Sequence, residues 1–253
     1  ITGINTDGVT LENCVNNGVA AATEKYAGGI VGYNEYRANI RDCVSYLSDY
    51  DSSIYNMIVD KWEATGDYVG GIAGYNNGAI TFDSSSQKMM VKSVSGIVAG
   101  GSYVGGIAGF NDVQGTLDAK YDLIGGRIHG DGDGVGGCFG LNASKSVLTS
   151  DLVIKPRSVE GRYYVGGVIG ANVVELKGQE VTADGLRAQN SLGVIRGQAF
   201  VGGVIGYQRN YAAGQIGADS GKPILEALAA AQKDGGKRLL PDLDGSHVPT
   251  AVQ

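Results

Sequence analysis

Tyr68-Val69-Gly70-Gly71-Ile72-Ala73-Gly74-Tyr75-Asn76 is one of six closely related phrases in this chain. The others are YAGGIVGYN at 26–34, YVGGIAGFN at 103–111, GVGGCFGLN at 134–142, YVGGVIGAN at 164–172 and FVGGVIGYQ at 200–208. Their starts lie 30 to 42 residues apart, the scale on which stacked repeat architectures work. Three glycines recur in every copy, here Gly70, Gly71 and Gly74. Glycine weakens a strand, so its recurrence asks for a positive φ, a bend or the close approach of another backbone. Two apolar positions stand between the glycines, Ile72 and Ala73 in this copy. Neighbouring residues of a strand point to opposite faces, so the phrase reads as one strand covered on both sides.

The phrase ends on Asn34, Asn76, Asn111, Asn142, Asn172 and finally Gln208. An amide carries donors and an acceptor, so amides stacked one above another can bond along the stack. The first position is aromatic in five copies (Tyr26, Tyr68, Tyr103, Tyr164, Phe200), and the eighth in the first three (Tyr33, Tyr75, Phe110). Rings repeated at about 4.8 Å suit offset stacking. A sugar-stacking stripe is the other use of such a column; a solenoid ladder is the expected one. The fourth copy departs most, with Gly134, Cys138 and Leu141 in place of Tyr, Ile and Tyr.

Working outward, Asn13-Cys14-Val15 and Asp42-Cys43-Val44 align around the first phrase and predict one strand ahead of each Gly-Gly strand. Gln87–Val94 and Ser150–Ile154 keep the alternation. Short β-rich runs fill the chain from 9 to about 207, with no long helical pattern. The expectation is all-β, a parallel β-helix of about six rungs and a rod about 30 Å long. A six-bladed propeller needs about 40–45 residues per blade, more than the shortest spacings of 30 and 31 supply. Residues 1–210 are the repeats and 211–253 a cap and tail. Within the tail, 222–233 reads as a short C-terminal helix, with Pro223 near its start and Gly235-Gly236 behind it. Its apolar stripe would cover the end of a solenoid; an interdomain linker is the alternative. A start at Ile1 without a cap suggests a processed or excised piece, with flanking domains in a larger chain.

The pattern G-G-[IV]-x-G-[YF]-N, preceded by Asn13-Cys14-Val15-Asn16-Asn17-Gly18, resembles the GLUG repeats of bacterial surface proteins. Such repeats occur in large adhesin-like proteins and in the non-catalytic parts of immunoglobulin A peptidases. The resemblance covers residues 9–210. It implies a right-handed parallel β-helix on an extracellular, cell-surface protein, and it supplies no catalytic residues.

Composition narrows the rest. Glycine makes up 43 of 253 residues, with only 4 prolines and 43% hydrophobic content, which excludes collagen and a disordered linker. Twenty basic against 26 acidic residues leave a net charge of -6, which argues against nucleic acid or an anionic membrane surface as partner. No apolar run reaches the length of a membrane span. Only His129 and His247 could serve a hydrolytic site, and neither H-E-x-x-H nor G-x-S-x-G is present. Cys14, Cys43 and Cys138 read as small buried hydrophobes, because in-register parallel strands suit a disulfide poorly. Gly130-Asp131-Gly132-Asp133-Gly134 resembles a fragment of a calcium nonapeptide, making Asp131 and Asp133 the one metal candidate. A tight acidic turn is the preferred reading, and no cofactor is expected.

The longest spacing places an extra excursion between 35 and 67. It carries Tyr46, Tyr50, Tyr55 and Trp62 beside Asp49, Asp51 and Asp60. Rings beside carboxylates can hold a sugar or a peptide; they can also form a local mini-core. The expected function is a non-catalytic surface module, an adhesin or its rigid stalk, whose partner is a host or matrix glycan or protein. A purely structural spacer is one alternative. A polysaccharide-degrading β-helix enzyme is the other, and it needs clustered carboxylates. Asp118, Asp122, Asp131, Asp133 and Asp151 show no grouping locked to the repeat.

Overall fold

The computed structural model describes residues 1–18, 20–46, 66–82, 91–92, 97–119, 126–144, 153–176, 187–188 and 193–212. Among these residues every regular element is a β-strand, and neighbouring strands pair in parallel. The Gly-Gly phrase is two strands rather than one. In the second copy Asp67–Gly70 ends at the glycine pair and Ala73–Asn76 begins after Ile72. The first arms of all copies form a six-stranded sheet and the second arms lie in a seven-stranded sheet. The phrase is therefore a corner. Both Ile72 and Ala73 are fully buried in the same core, because the chain turns between them instead of presenting them to opposite faces.

Close approach of backbones explains the glycines. A Cβ on Gly70 would lie 2.0 Å from the Ala73 carbonyl oxygen and 2.7 Å from Ala108 Cα in the next copy. A Cβ on Gly74 would lie 2.7 Å from the Cα of Tyr26, in the copy before. Positive φ falls elsewhere, on the aromatic that opens the phrase: 63° at Tyr26, 59° at Tyr68 and Tyr103, 56° at Tyr164 and Phe200. A left-handed conformation costs an ordinary residue about 1–2 kcal/mol and persists because the surrounding packing holds it. Gly134, at φ 72°, is the one copy whose residue type matches that backbone.

The seven-stranded sheet holds one strand more than the phrases number. Thr2–Asn5 joins it ahead of Val31–Asn34, with Thr2 opposite Val31, Ile4 opposite Tyr33 and Asn5 opposite Asn34. This segment shares the third glycine and the asparagine with the phrase. The Asn-Cys-Val segments are also corners. Thr10–Glu12 and Val15–Asn16 belong to different sheets, as do Asn39–Arg41 and Val44–Tyr46. Asn13 and Asp42 turn them at φ 52° and 50°, a conformation these two residue types tolerate. Of the later equivalents, Val91–Lys92 and Val153–Ile154 are strands. A further sheet stacks Ile97–Gly100, Arg127–Gly130, Ser158–Glu160 and Val194–Arg196.

Parallel strands stacked into several sheets, one repeat above another, are compatible with a β-solenoid. Two cores run along the stack. The larger contains Ile30, Ile72, Ile107, Cys138 and Val168 from the corners, with Ile40 and Ile80 facing them. The smaller is aromatic, with Tyr68, Tyr75, Tyr103, Phe110 and Tyr164 buried in it. The helix expected over 222–233 lies outside the described residues.

Candidate functional site

The recurring polar residue forms a continuous column. Asn5 Nδ2 donates to Asn34 Oδ1 at 2.8 Å, and Asn34, Asn76, Asn111 and Asn142 each donate to the next at 2.7–2.9 Å. Asn172 closes the series by donating to Gln208 Oε1 at 2.7 Å. Identical register puts each amide directly above its neighbour, and the second N–H is free to reach a local carbonyl, as Asn142 reaches Ser144 O at 3.1 Å. Asn34, Asn76 and Asn111 are wholly buried. In that setting each net bond contributes about 1 kcal/mol, and losing a partner costs more than making the bond gains.

Beside this column the aromatics stack in two rows that interlock. Tyr26, Tyr68 and Tyr103 stack face to face at 5.4 and 5.1 Å, and Tyr33 on Tyr75 at 4.3 Å. Between the rows the rings meet edge on, as Tyr26 meets Tyr33 at 5.3 Å and Tyr75 at 5.7 Å, and within the second row Phe110 turns edge on to Tyr75 at 5.2 Å. Gly134 interrupts the first row, which resumes with Tyr164 on Phe200 at 5.3 Å. Tyr68, Tyr75, Tyr103 and Phe110 are buried, so these rings are core and not an exposed sugar platform.

Buried ionisable groups adjoin the aromatic core. Tyr75 donates its hydroxyl proton to Asp112, which also accepts from Val113 N at 2.8 Å. Burial pushes the Asp112 carboxyl above its ordinary value, against the pull of these two bonds. Asp67 accepts from Ser102 N at 2.7 Å and is also pushed up, chiefly by burial. Asp133, 2% exposed, takes a two-point pair from Arg162, with Nε at 3.0 Å and Nη2 at 3.3 Å. Of these three carboxylates only Asp133 stands out in the sequence, as a calcium candidate; Asp67 and Asp112 occur without a regular pattern.

The residues singled out from the sequence fare differently. Tyr46 ends the strand Val44–Tyr46 and packs, partly buried, against the main core. Tyr50, Tyr55 and Trp62 lie outside the described residues. Asp131 and Asp133 do not converge. Asp131 stays exposed and meets His129 Nε2 at 3.1 Å, while Asp133 is buried against Arg162. Across the same sheet His129 Nδ1 lies 3.8 Å from Glu160. Among the described residues no group of three or more His, Cys, Asp or Glu side chains is placed to hold a metal ion. Cys14, Cys43 and Cys138 are free thiols. Cys14 N approaches Cys43 Sγ at 3.4 Å, and burial pushes the Cys43 thiol up to about 12.

The aromatic core carries a pH dependence of definite sign. Burial is the leading cause that raises Tyr68, Tyr75 and Tyr103, and it lifts Tyr164 to about 12. An unfolded tyrosine titrates near 10. Between those values the unfolded chain releases protons that the folded chain retains. Stability therefore falls as pH rises, by about 1.4 kcal/mol per unit for each such group. Full stability is expected below about pH 10, with cooperative unfolding before pH 12 is reached. Tyrosinate absorbance and loss of the β circular-dichroism signal should then coincide; buried tyrosines that ionise while the β signal persists would contradict this.

Comparison with known proteins finds no matching family model, no matching curated protein and no matching solved structure.

Proposed function

We propose that this chain is a non-catalytic module of a bacterial cell-surface protein, an extracellular adhesin or the rigid stalk of one. The observation that supports this reading is the use made of the repeated residues. The amides bond to one another, the rings stack on one another and the glycines admit neighbouring backbones. What recurs in the sequence therefore builds a stiff column with a rise of about 4.8 Å per repeat. A column of this kind holds something at a distance.

The likeness to GLUG repeats rests on the motif G-G-[IV]-x-G-[YF]-N, and the finer architecture belongs to the same proposal. It is a right-handed parallel β-helix with a helix over 222–233 covering its end. Ligand recognition, in this reading, falls to the segments that vary between repeats. The foremost is the excursion that carries Tyr46, Tyr50, Tyr55 and Trp62, and its partner class is a host or matrix glycan or protein.

The test is retention of the purified chain on arrays of glycans and matrix proteins, with soluble products assayed alongside. A specific hit that disappears in the Tyr55→Ala/Trp62→Ala double variant, with circular dichroism unchanged, is the expected result. A hit unaffected by the double variant would remove the site from this excursion. Silence on every surface would reduce the module to a spacer. Released oligosaccharides would overturn the non-catalytic reading.

A further inference from the structure

Of the three cysteines, the fold brings two together. Glu12 lies opposite Arg41 in one sheet and Val15 opposite Val44 in another, so the corners between them carry Cys14 against Cys43. Val44 N donates to Cys14 O there at 2.8 Å. Cys14 N donates in turn to Cys43 Sγ at 3.4 Å. The same sulfur approaches Leu11 O at 3.5 Å and Arg41 O at 3.3 Å, so it meets backbone of the preceding repeat as well as its own.

Strands in register hold equivalent atoms about 4.8 Å apart. That separation suits the Cα atoms of a disulfide, which span about 4.4–6.8 Å, and slightly exceeds the span of about 3.5–4.5 Å that its Cβ atoms take. The second condition is hard to meet within a flat sheet. Here neither cysteine belongs to a strand, and each follows a residue turned into the left-handed region, Asn13 at φ 52° and Asp42 at φ 50°. The Cys43 side chain already leans into the gap between the two repeats, and a shift of a few tenths of an ångström at these corners closes the remainder.

We propose that Cys14 and Cys43 are a modification site, joined by a disulfide that staples the two repeats that carry them. Two S–H bonds break and one S–S bond forms. The oxidant is a second disulfide, glutathione disulfide or that of a thiol oxidoreductase. One thiolate attacks it and expels the first thiol; the other then attacks the mixed disulfide and expels the second. Both protons leave with the expelled thiols, so one disulfide is reduced as the other is made. Exchange takes place as the chain folds, before Cys43 reaches its fully buried place. Cys138 has no such partner, since its neighbours along the stack are Ile107 and Val168.

The two cysteines stand 29 positions apart, so the bond closes a loop and restricts the unfolded chain. Its formation in the cell rests on the extracellular reading, because a reducing compartment would keep both thiols free. Its geometry does not.

Refolding of the full chain from denaturant in a glutathione redox buffer, followed by alkylation and peptide mapping, is the experiment. The expected result is one bond per chain, between Cys14 and Cys43, with Cys138 alkylated as a free thiol. A bond that fits the fold is favoured by folding, so reducing it should take at least about tenfold more reduced glutathione in the folded chain than in denaturant. The oxidised chain should also show a higher denaturation midpoint than the reduced one. Three free thiols after refolding, a bond to Cys138, or equal reducibility in the folded and unfolded chain would overturn the proposal.

Cys14→Ser should refold to the β spectrum of the reduced parent with both remaining thiols free, and Cys138→Val should keep the bond. A disulfide that survives in Cys14→Ser would overturn it. Oxidation in the buffer together with three free thiols in the chain recovered from its own cells would uphold the bond and count against the extracellular reading.

Discussion

Gly70→Ala is expected to destabilise the chain by about 4 kcal/mol or more, enough to leave little folded protein, whereas Gly3→Ala should change stability by under about 0.5 kcal/mol. Both substitutions add the same methyl group to a glycine in a strand. They differ in what that methyl group meets. At Gly70 it would lie 2.0 Å from the Ala73 carbonyl oxygen and 2.7 Å from Ala108 Cα. These are backbone atoms of strands paired on both sides, and they can move only if the sheets move. At Gly3 it meets nothing within 4 Å. Chemical denaturation of the two variants beside the parent, followed by circular dichroism, gives the comparison directly. Equal losses at the two positions would mean that strand propensity, and not the crowding at the corner, sets the need for glycine.

Substitution within the amide column should depend on position just as strongly. Asn76→Ala is expected to cost about 4 kcal/mol. It removes the acceptor used by Asn34, the donor used by Asn111 and a partner of Gly78 N at 3.3 Å. All of this happens in a site with no exposure at all. Gln208→Ala, at an exposed end of the column, should cost only about 1 kcal/mol.

Asn76→Asp gives a sharper test, because the charged form has no proton to give Asn111 Oδ1. Two acceptors then face each other in a buried place, which holds the folded-state pKa of the new carboxyl above its unfolded value. The folded chain thus prefers the protonated acid, and stability must rise as pH is lowered toward and below the ordinary carboxylate range. Denaturation midpoints that improve on acidification in Asn76→Asp, relative to the parent, are the expected result. A pH-independent deficit would mean that the column is held by packing alone.

Much of the ladder is legible from residue types. A column forms when one kind of side chain is translated onto itself, and six copies of Asn or Gln at one position state that translation outright. The aromatic rows follow by the same reasoning, and Gly134 marks the place where the first row breaks. The corner was not legible. Val-Gly-Gly-Ile-Ala satisfies the alternation of one strand as well as it satisfies two strands that meet at an angle. Recurrent glycine is equally consistent with a bend, a positive φ or a close approach. The first strand escaped notice because Thr2–Asn5 shares only a glycine and an asparagine with the phrase. Nor did the sequence signal Asp112, or that Asp133 is an ion-pair partner instead of a calcium ligand, because their surroundings are assembled from side chains about 30 or more residues away, such as Tyr75 and Arg162.

By itself, then, the sequence determined that the chain stacks in parallel, which residues lie above one another and which polar group runs through the stack. These follow from identity at a regular spacing, which is a property of the repeat alone. Only the tertiary structure decided that each phrase turns a corner and that its aromatic residue, not its glycine, adopts the left-handed backbone. It also decided that the rings form a second core instead of a binding surface. These depend on how two arms of one phrase meet the arms of its neighbours, a distance between backbones that no residue carries in its own name.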